Sequence, residues 1–120
     1  MLQLNEIRVG NLVQNEFNQE EKILEISIIQ GEEAYINRRI ISKFTQLPIT
    51  NQKLLSLGFQ RNFGENNDIF SYNLFSVFNV NNSHWYYISD PFKVELTSIH
   101  HIQNLFYDIY KKEITPPEKF

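Results

Sequence analysis

Along most of this chain apolar and polar residues alternate with a period of two, and in two places the period lengthens to that of a helix. Ile7-Arg8-Val9-Gly10-Asn11-Leu12-Val13 predicts a first strand, with Gly10 marking a bulge or a close backbone approach. Asn15 to Glu21 is polar and predicts a turn. From Lys22 to Ile29, Leu24, Ile26 and Ile28 alternate with Glu25 and Ser27, the pattern of a half-buried strand. Gln30-Gly31-Glu32 has hairpin length, and Ala34-Tyr35-Ile36 resumes an extended run. Residues 1–45 therefore predict a small antiparallel sheet, either curled into a barrel-like form or left as an open meander.

Leu47-Pro48-Ile49-Thr50 breaks that pattern. Proline holds Leu47 extended, and Thr50 is a good N-cap for a helix whose apolar face is Leu54, Leu55 and Leu57. Gly58 stands where a left-handed residue ends such a helix, and Phe59 where a side chain folds back onto its last turn. Gly64 to Asp68 predicts a loop. Three strands follow, Ile69 to Val80, Trp85 to Ile88 and Phe92 to Leu96, joined by turns at Asn81-Asn82-Ser83 and Ser89-Asp90-Pro91. A closing helix from about Ser98 to Lys112, capped by Thr97 or Ser98, carries Ile99, Ile102, Leu105, Phe106 and Ile109 on one stripe. His101, Asn104 and Asp108 share its other side, with Gln103 and Tyr107 flanking. Pro116-Pro117 ends regular structure.

The class is α+β: an N-terminal antiparallel β subdomain over residues 1–45, a helix–three-strand–helix unit over 46–115, and a disordered tail at 116–120, expected to pack as one compact domain. With 120 residues, 42% of them hydrophobic, the chain can build a real core. It has no cysteine, so neither a disulfide framework nor a thiolate metal site is available. No apolar run is long enough to span a bilayer, and the first residues lack the pattern of a signal peptide, so a cytoplasmic protein without membrane contact is expected.

Candidate chemistry is sparse. His100 and His101 are adjacent, so on a helix they point about 100° apart and cannot chelate one ion together. No nucleophile elbow, phosphate-cradling loop or H-E-x-x-H pattern occurs, and the carboxylates are dispersed. No catalytic residue, metal or cofactor is assigned. An enzyme would need His84, His101 and Asp108 to converge on one pocket. The Gln103-Asn104 amides can fix a docking angle by bonding to backbone at a sheet edge. A net charge of −3 works against nucleic acid, for which Arg38, Arg39 and Lys43 are the available cations. Phe70, Tyr72, Phe78, Trp85 and Tyr87 would be the stacking platform, although Leu74, Val77 and Val80 among them point to core packing instead.

Three stretches resemble an uncharacterised family of small proteins of Bacteroidetes bacteria, their phages and their integrated mobile elements. Ile7 to Val13 is similar to the family's opening LRIGNLV. Leu47-Pro48-Ile49-Thr50 through Leu54-Leu55 to Gly58-Phe59 is similar to IPLTEEWLLKFGF, and His100 to Tyr107 to part of YVHQLQNLYFALTGEEL. The order and spacing hold along nearly the whole chain. Ser98 replaces a tyrosine, and Lys111-Lys112 replace a threonine-glycine pair, so the helix end departs from the family's. The resemblance implies a phage or mobile-element setting and carries no catalytic residue across.

The expected function is a non-catalytic accessory role through a protein partner, such as modulation of a host or defence protein. Tyr86, His101, Asn104, Tyr107 and Tyr110 are the candidate partner-binding residues. The alternative is a nucleic-acid-binding accessory protein using Arg38, Arg39 and Lys43.

Overall fold

The computed structural model describes residues 2–28, 33–63, 67–80, 84–89 and 91–115. It is α+β, as the pattern predicts, and divides into two compact units. Unit 1 comprises residues 1–48 and 98–113, and unit 2 comprises 49–97 and 114–120.

Unit 1 begins with a 3-10 turn, Leu4–Glu6. The strand expected at Ile7–Val13 is shorter and later: β1 is Leu12–Gln14. Its first half is a turn instead. Asn11 accepts the Arg8 N–H through its side chain at 2.8 Å, and Gly10 takes φ +99°, a conformation that disfavours any residue with a Cβ. β1 pairs antiparallel with β2, Glu20–Lys22, so the expected turn closes at Gln19. Asn15 shapes that turn by accepting from the N–H groups of Phe17 and Gln19.

The strand expected over Lys22–Ile29 is interrupted. Asn37 Oδ1 accepts from Leu24 N at 2.8 Å and Glu25 N at 3.1 Å, which takes these two amides out of any ladder. The inward residue is consequently Ile23, fully buried, while Leu24 and Ile28 are 71% and 66% exposed. β3 is only Ile26–Ile28, paired with β4, Ala34–Ile36; the expected Gln30-Gly31-Glu32 turn lies outside the described residues. β5, Arg39–Ile40, returns on β4 through Asn37 and Arg38, both at positive φ, as a two-residue hairpin turn favours. A second 3-10 turn, Ile41–Lys43, follows. The result is a two-stranded and a three-stranded sheet, with a backbone bridge from Gln14 to Thr45 after the second 3-10 turn. Leu2, Ile7, Val13, Ile23, Ala34, Ile36, Ile41 and Phe44 form their common core.

The C-terminal helix, Ile99–Tyr110, belongs to unit 1 and not to the strands that precede it in sequence. Ser98 caps it by accepting the His101 N–H. Its buried face is Ile99, His100, Ile102, Gln103 and Phe106. That face is rotated from the expected stripe: Ile109 is 42% exposed and Leu105 only half-buried, because two polar residues, His100 and Gln103, are drawn inward.

Unit 2 opens with α1, Asn51–Ser56, so the C-terminal helix is α2. The expected ends of α1 are both present. Thr50 accepts the Lys53 N–H, Gly58 sits at φ +101°, and the N–H groups of Gly58 and Phe59 close back on Leu55 and Leu54. The five strands that follow form one antiparallel meander in the order β10-β9-β8-β7-β6. They are β6 Gln60–Phe63, β7 Asn67–Tyr72, β8 Phe75–Val80, β9 His84–Ser89 and β10 Phe92–Leu96. Three features differ from expectation. β7 already begins at Asn67, inside the loop expected from Gly64 to Asp68, whose first three residues lie outside the described ones. Gln60–Phe63 is a strand, and Ile69–Val80 is two strands divided at Asn73, φ +54°, with Leu74 89% exposed at the tip rather than in a core.

Candidate functional site

On unit 1, α2 is clamped to the start of β1 and the segment before it by its two amides. Gln103 Oε1 accepts from Leu12 N at 2.8 Å, and its Nε2 donates to the Gly10 carbonyl. Asn104 Nδ2 donates to the Glu6 carbonyl at 2.7 Å, and its Oδ1 accepts from Asn11 Nδ2 at 2.7 Å. The docking role expected of this pair is thus in place, and it occupies the Asn104 amide within the chain. Arg8 adds an ion pair to Glu113 and lies 4.3 Å from the centre of the Tyr107 ring. Tyr110 packs on Phe106 at 4.8 Å between ring centres. Tyr107 stays 37% exposed, and His101 half-buried. His100 is buried against the Ser98 hydroxyl. Burial holds its imidazole below the ordinary value; the Glu6 carboxylate pulls the other way, and His101 adds to the lowering.

The proposed basic patch is embedded in acid. Arg39 pairs with Glu16 and Glu21 and lies over the Phe44 ring; Arg38 is 3.6 Å from Glu25. Burial opposes ionisation of Glu21, but hydrogen bonds from Asn37, Asn15 and Arg39 outweigh it and hold that carboxyl below its ordinary value. A shallow depression of about 560 Å³ beside Arg38 is lined by Glu20, Glu21 and Glu25 as well as Lys22. Lys43 is exposed on its 3-10 turn. Such a surface repels phosphate as readily as it attracts it.

On unit 2 the sheet register sorts the aromatics. Phe70, Val77, Tyr87 and Val94 stand opposite one another in a row and so share a face. Phe75 stacks on Tyr87, and Phe59 after α1 packs on Phe75 and Tyr72. Phe70 and Phe75 are fully buried there. A single stacking platform of Phe70, Tyr72, Phe78, Trp85 and Tyr87 is therefore not formed, because Phe78 belongs to the opposite face. That face carries a second row, Asn62–Ile69–Phe78–Tyr86–Glu95. Ile69, Phe78, Tyr86 and the nearby Val80 are half-buried, and Ile88 is 43% exposed. Lys93 Nζ lies 4.1 Å from the Tyr86 ring centre, and His84 Nδ1 is 3.3 Å from Glu95 Oε1.

Tyr86 is thus a member of an apolar row that includes Ile69 and Phe78. The sequence signal for it was the alternation through Ile69–Val80, obscured when that stretch is taken as one strand. His101, Asn104, Tyr107 and Tyr110 lie on unit 1, Tyr86 and His84 on unit 2. Among the described residues, no group of three His, Asp or Glu side chains is arranged to hold a metal, and no helix is long and apolar enough to cross a membrane. No family model, curated protein or solved structure matches the chain.

Proposed function

We propose that the protein is a non-catalytic accessory protein that works in the cytoplasm through a protein partner, and that the outward face of the unit 2 sheet receives that partner. The observation that carries the reading is the Ile69–Phe78–Tyr86 row, apolar side chains left half-buried across three adjacent strands. Such a face has an apolar centre, and its rim is polar and charged: Asn62, His84, Lys93 and Glu95. Aromatic residues in that position are the usual anchors of a protein interface. The resemblance to proteins of Bacteroidetes phages and mobile elements supplies the setting, and modulation of a host or defence protein is the role that fits it. Nucleic acid binding is the weaker reading, since Arg38 and Arg39 face glutamates.

A tagged pull-down from a Bacteroidetes lysate, with and without nuclease, tests this. The partner should be a protein that survives nuclease and is lost from Phe78→Ser and Tyr86→Ala. Retention that disappears with nuclease, and with Arg38→Glu and Lys43→Glu, would replace this reading with nucleic acid binding.

A further inference from the structure

Among the described residues β10 is an edge of the five-stranded sheet: it is paired with β9 on one side, and no described strand pairs with its other side. An open edge is half a ladder, and proteins commonly guard one with charge. The guard on Phe92-Lys93-Val94-Glu95-Leu96 consists of two opposite charges, Lys93 and Glu95, both exposed. They lie on the same face of the sheet, since Lys93 stands opposite Ile88 and Glu95 opposite Tyr86. Each is held by β9, Lys93 over the Tyr86 ring and Glu95 beside His84.

We infer that β10 pairs antiparallel with β10 of a second copy of this chain, about a two-fold axis through Val94. Side chains directly opposite in an antiparallel pair share a face, so the axis must pass through a residue. Centred on Lys93 it sets two lysines against each other, and centred on Glu95 it sets two glutamates against each other. Centred on Val94 it places Lys93 opposite Glu95 of the second copy, and the reverse. On the other face the same register sets Phe92, 72% exposed, opposite the second copy's Leu96. The edge is therefore complementary to itself in one register, and its charges reject the two neighbouring ones.

Five residues on each side bury less than the roughly 1,200 Å² of a lasting interface, so the dimer is weak and reversible. It rests on the strand edge and not on what the outward face recognises, although Lys93 and Glu95 border both, and a failed pull-down would leave it standing.

Sedimentation velocity over a rising concentration series tests it. The wild-type protein should pass from monomer to dimer and stop there. Lys93→Glu and Glu95→Lys should each weaken the dimer about thirtyfold, because two cross-strand pairs turn from attraction to repulsion. The double variant Lys93→Glu/Glu95→Lys should recover it. An equimolar mixture of the two single variants should recover it as well, since their reversed charges complement each other. Both residues are exposed, and circular dichroism would confirm that each variant is folded. A monomer at every concentration, a dimer indifferent to both reversals, or growth beyond the dimer would each overturn the inference.

Discussion

The two units are held together by different means. In unit 2 five strands of four to six residues run as a plain meander, and one face of the sheet supplies the buried aromatics. In unit 1 the strands are two or three residues long, too short to specify their own pairing, and side-chain amides make up the shortfall. Asn11, Asn15, Asn37, Gln103 and Asn104 each bond to backbone there. Regular hydrophobic alternation specifies a fold by packing; short strands need particular polar groups in particular places. Unit 2 should therefore be sensitive to the loss of volume and unit 1 to the loss of single hydrogen bonds.

The largest effect expected from that contrast is Phe75→Ala, which removes a fully buried ring stacked at 4.9 Å on Tyr87. It should cost about 3–5 kcal/mol. Phe78→Ala, on the same strand but the opposite face and half-buried, should cost only about 1 kcal/mol, in line with the smaller area it removes from contact. Urea titration followed by the fluorescence of Trp85, the single tryptophan, reads both in unit 2. Equal costs would mean that Phe78 is covered as well as Phe75 is.

Gln103→Ala comes next. It strips the Leu12 N–H of its acceptor and leaves the Gly10 carbonyl without its side-chain donor, at a cost of about 1–3 kcal/mol. Hydrogen exchange at the Leu12 amide should accelerate with it. Gln103→Leu would preserve the volume and suffer the same loss, which separates bonding from packing.

Gly58→Ala should be smaller, about 1 kcal/mol, because α1 would still form while its end at φ +101° became strained. That helix end is a place where sequence and structure agree in detail. Thr50, Gly58 and Phe59 announce it because a helix terminus is a local event, governed by residues adjacent in sequence. The alternation in Phe75–Val80 and Phe92–Leu96 is legible for the same reason. Unit 1 is less so, since the bonds that dock α2 join residues about ninety positions apart, as Gln103 does with Leu12, and Asn37 reaches back thirteen positions to Leu24. Leu24 and Ile28 look inward by periodicity, yet Asn37 fixes the chain so that Ile23 is buried instead. The turn at Asn73-Leu74 was hidden by its own neighbours, whose apolar character runs on across it. The candidate site follows the same rule: Tyr86 stands out as a residue, but its row with Ile69 and Phe78 exists only through register.

The finest test of the contrast is pH. His100 is a polar residue inside unit 1, in the first turn of α2, where a positive charge would also oppose the helix dipole. In the unfolded chain its imidazole titrates near 6.5, and in the folded chain lower, because burial disfavours the cation. Between those two values the unfolded state binds more protons, so stability rises with pH across that window. This contribution is lost as pH falls below about 6.5 and is fully gone once the folded imidazole is itself protonated. His100→Gln keeps a hydrogen-bonding group near Ser98 and cannot titrate, so it should flatten this part of the stability profile. Glu6→Gln removes the carboxylate that pulls the imidazole upward, so it should lower the folded value further and widen the window. Urea midpoints measured from pH 7.5 down to about 5 separate the two variants from wild type, since one loses the slope and the other steepens its total fall. A profile that neither substitution alters would show that the imidazole is solvated, and that α2 docks without burying it.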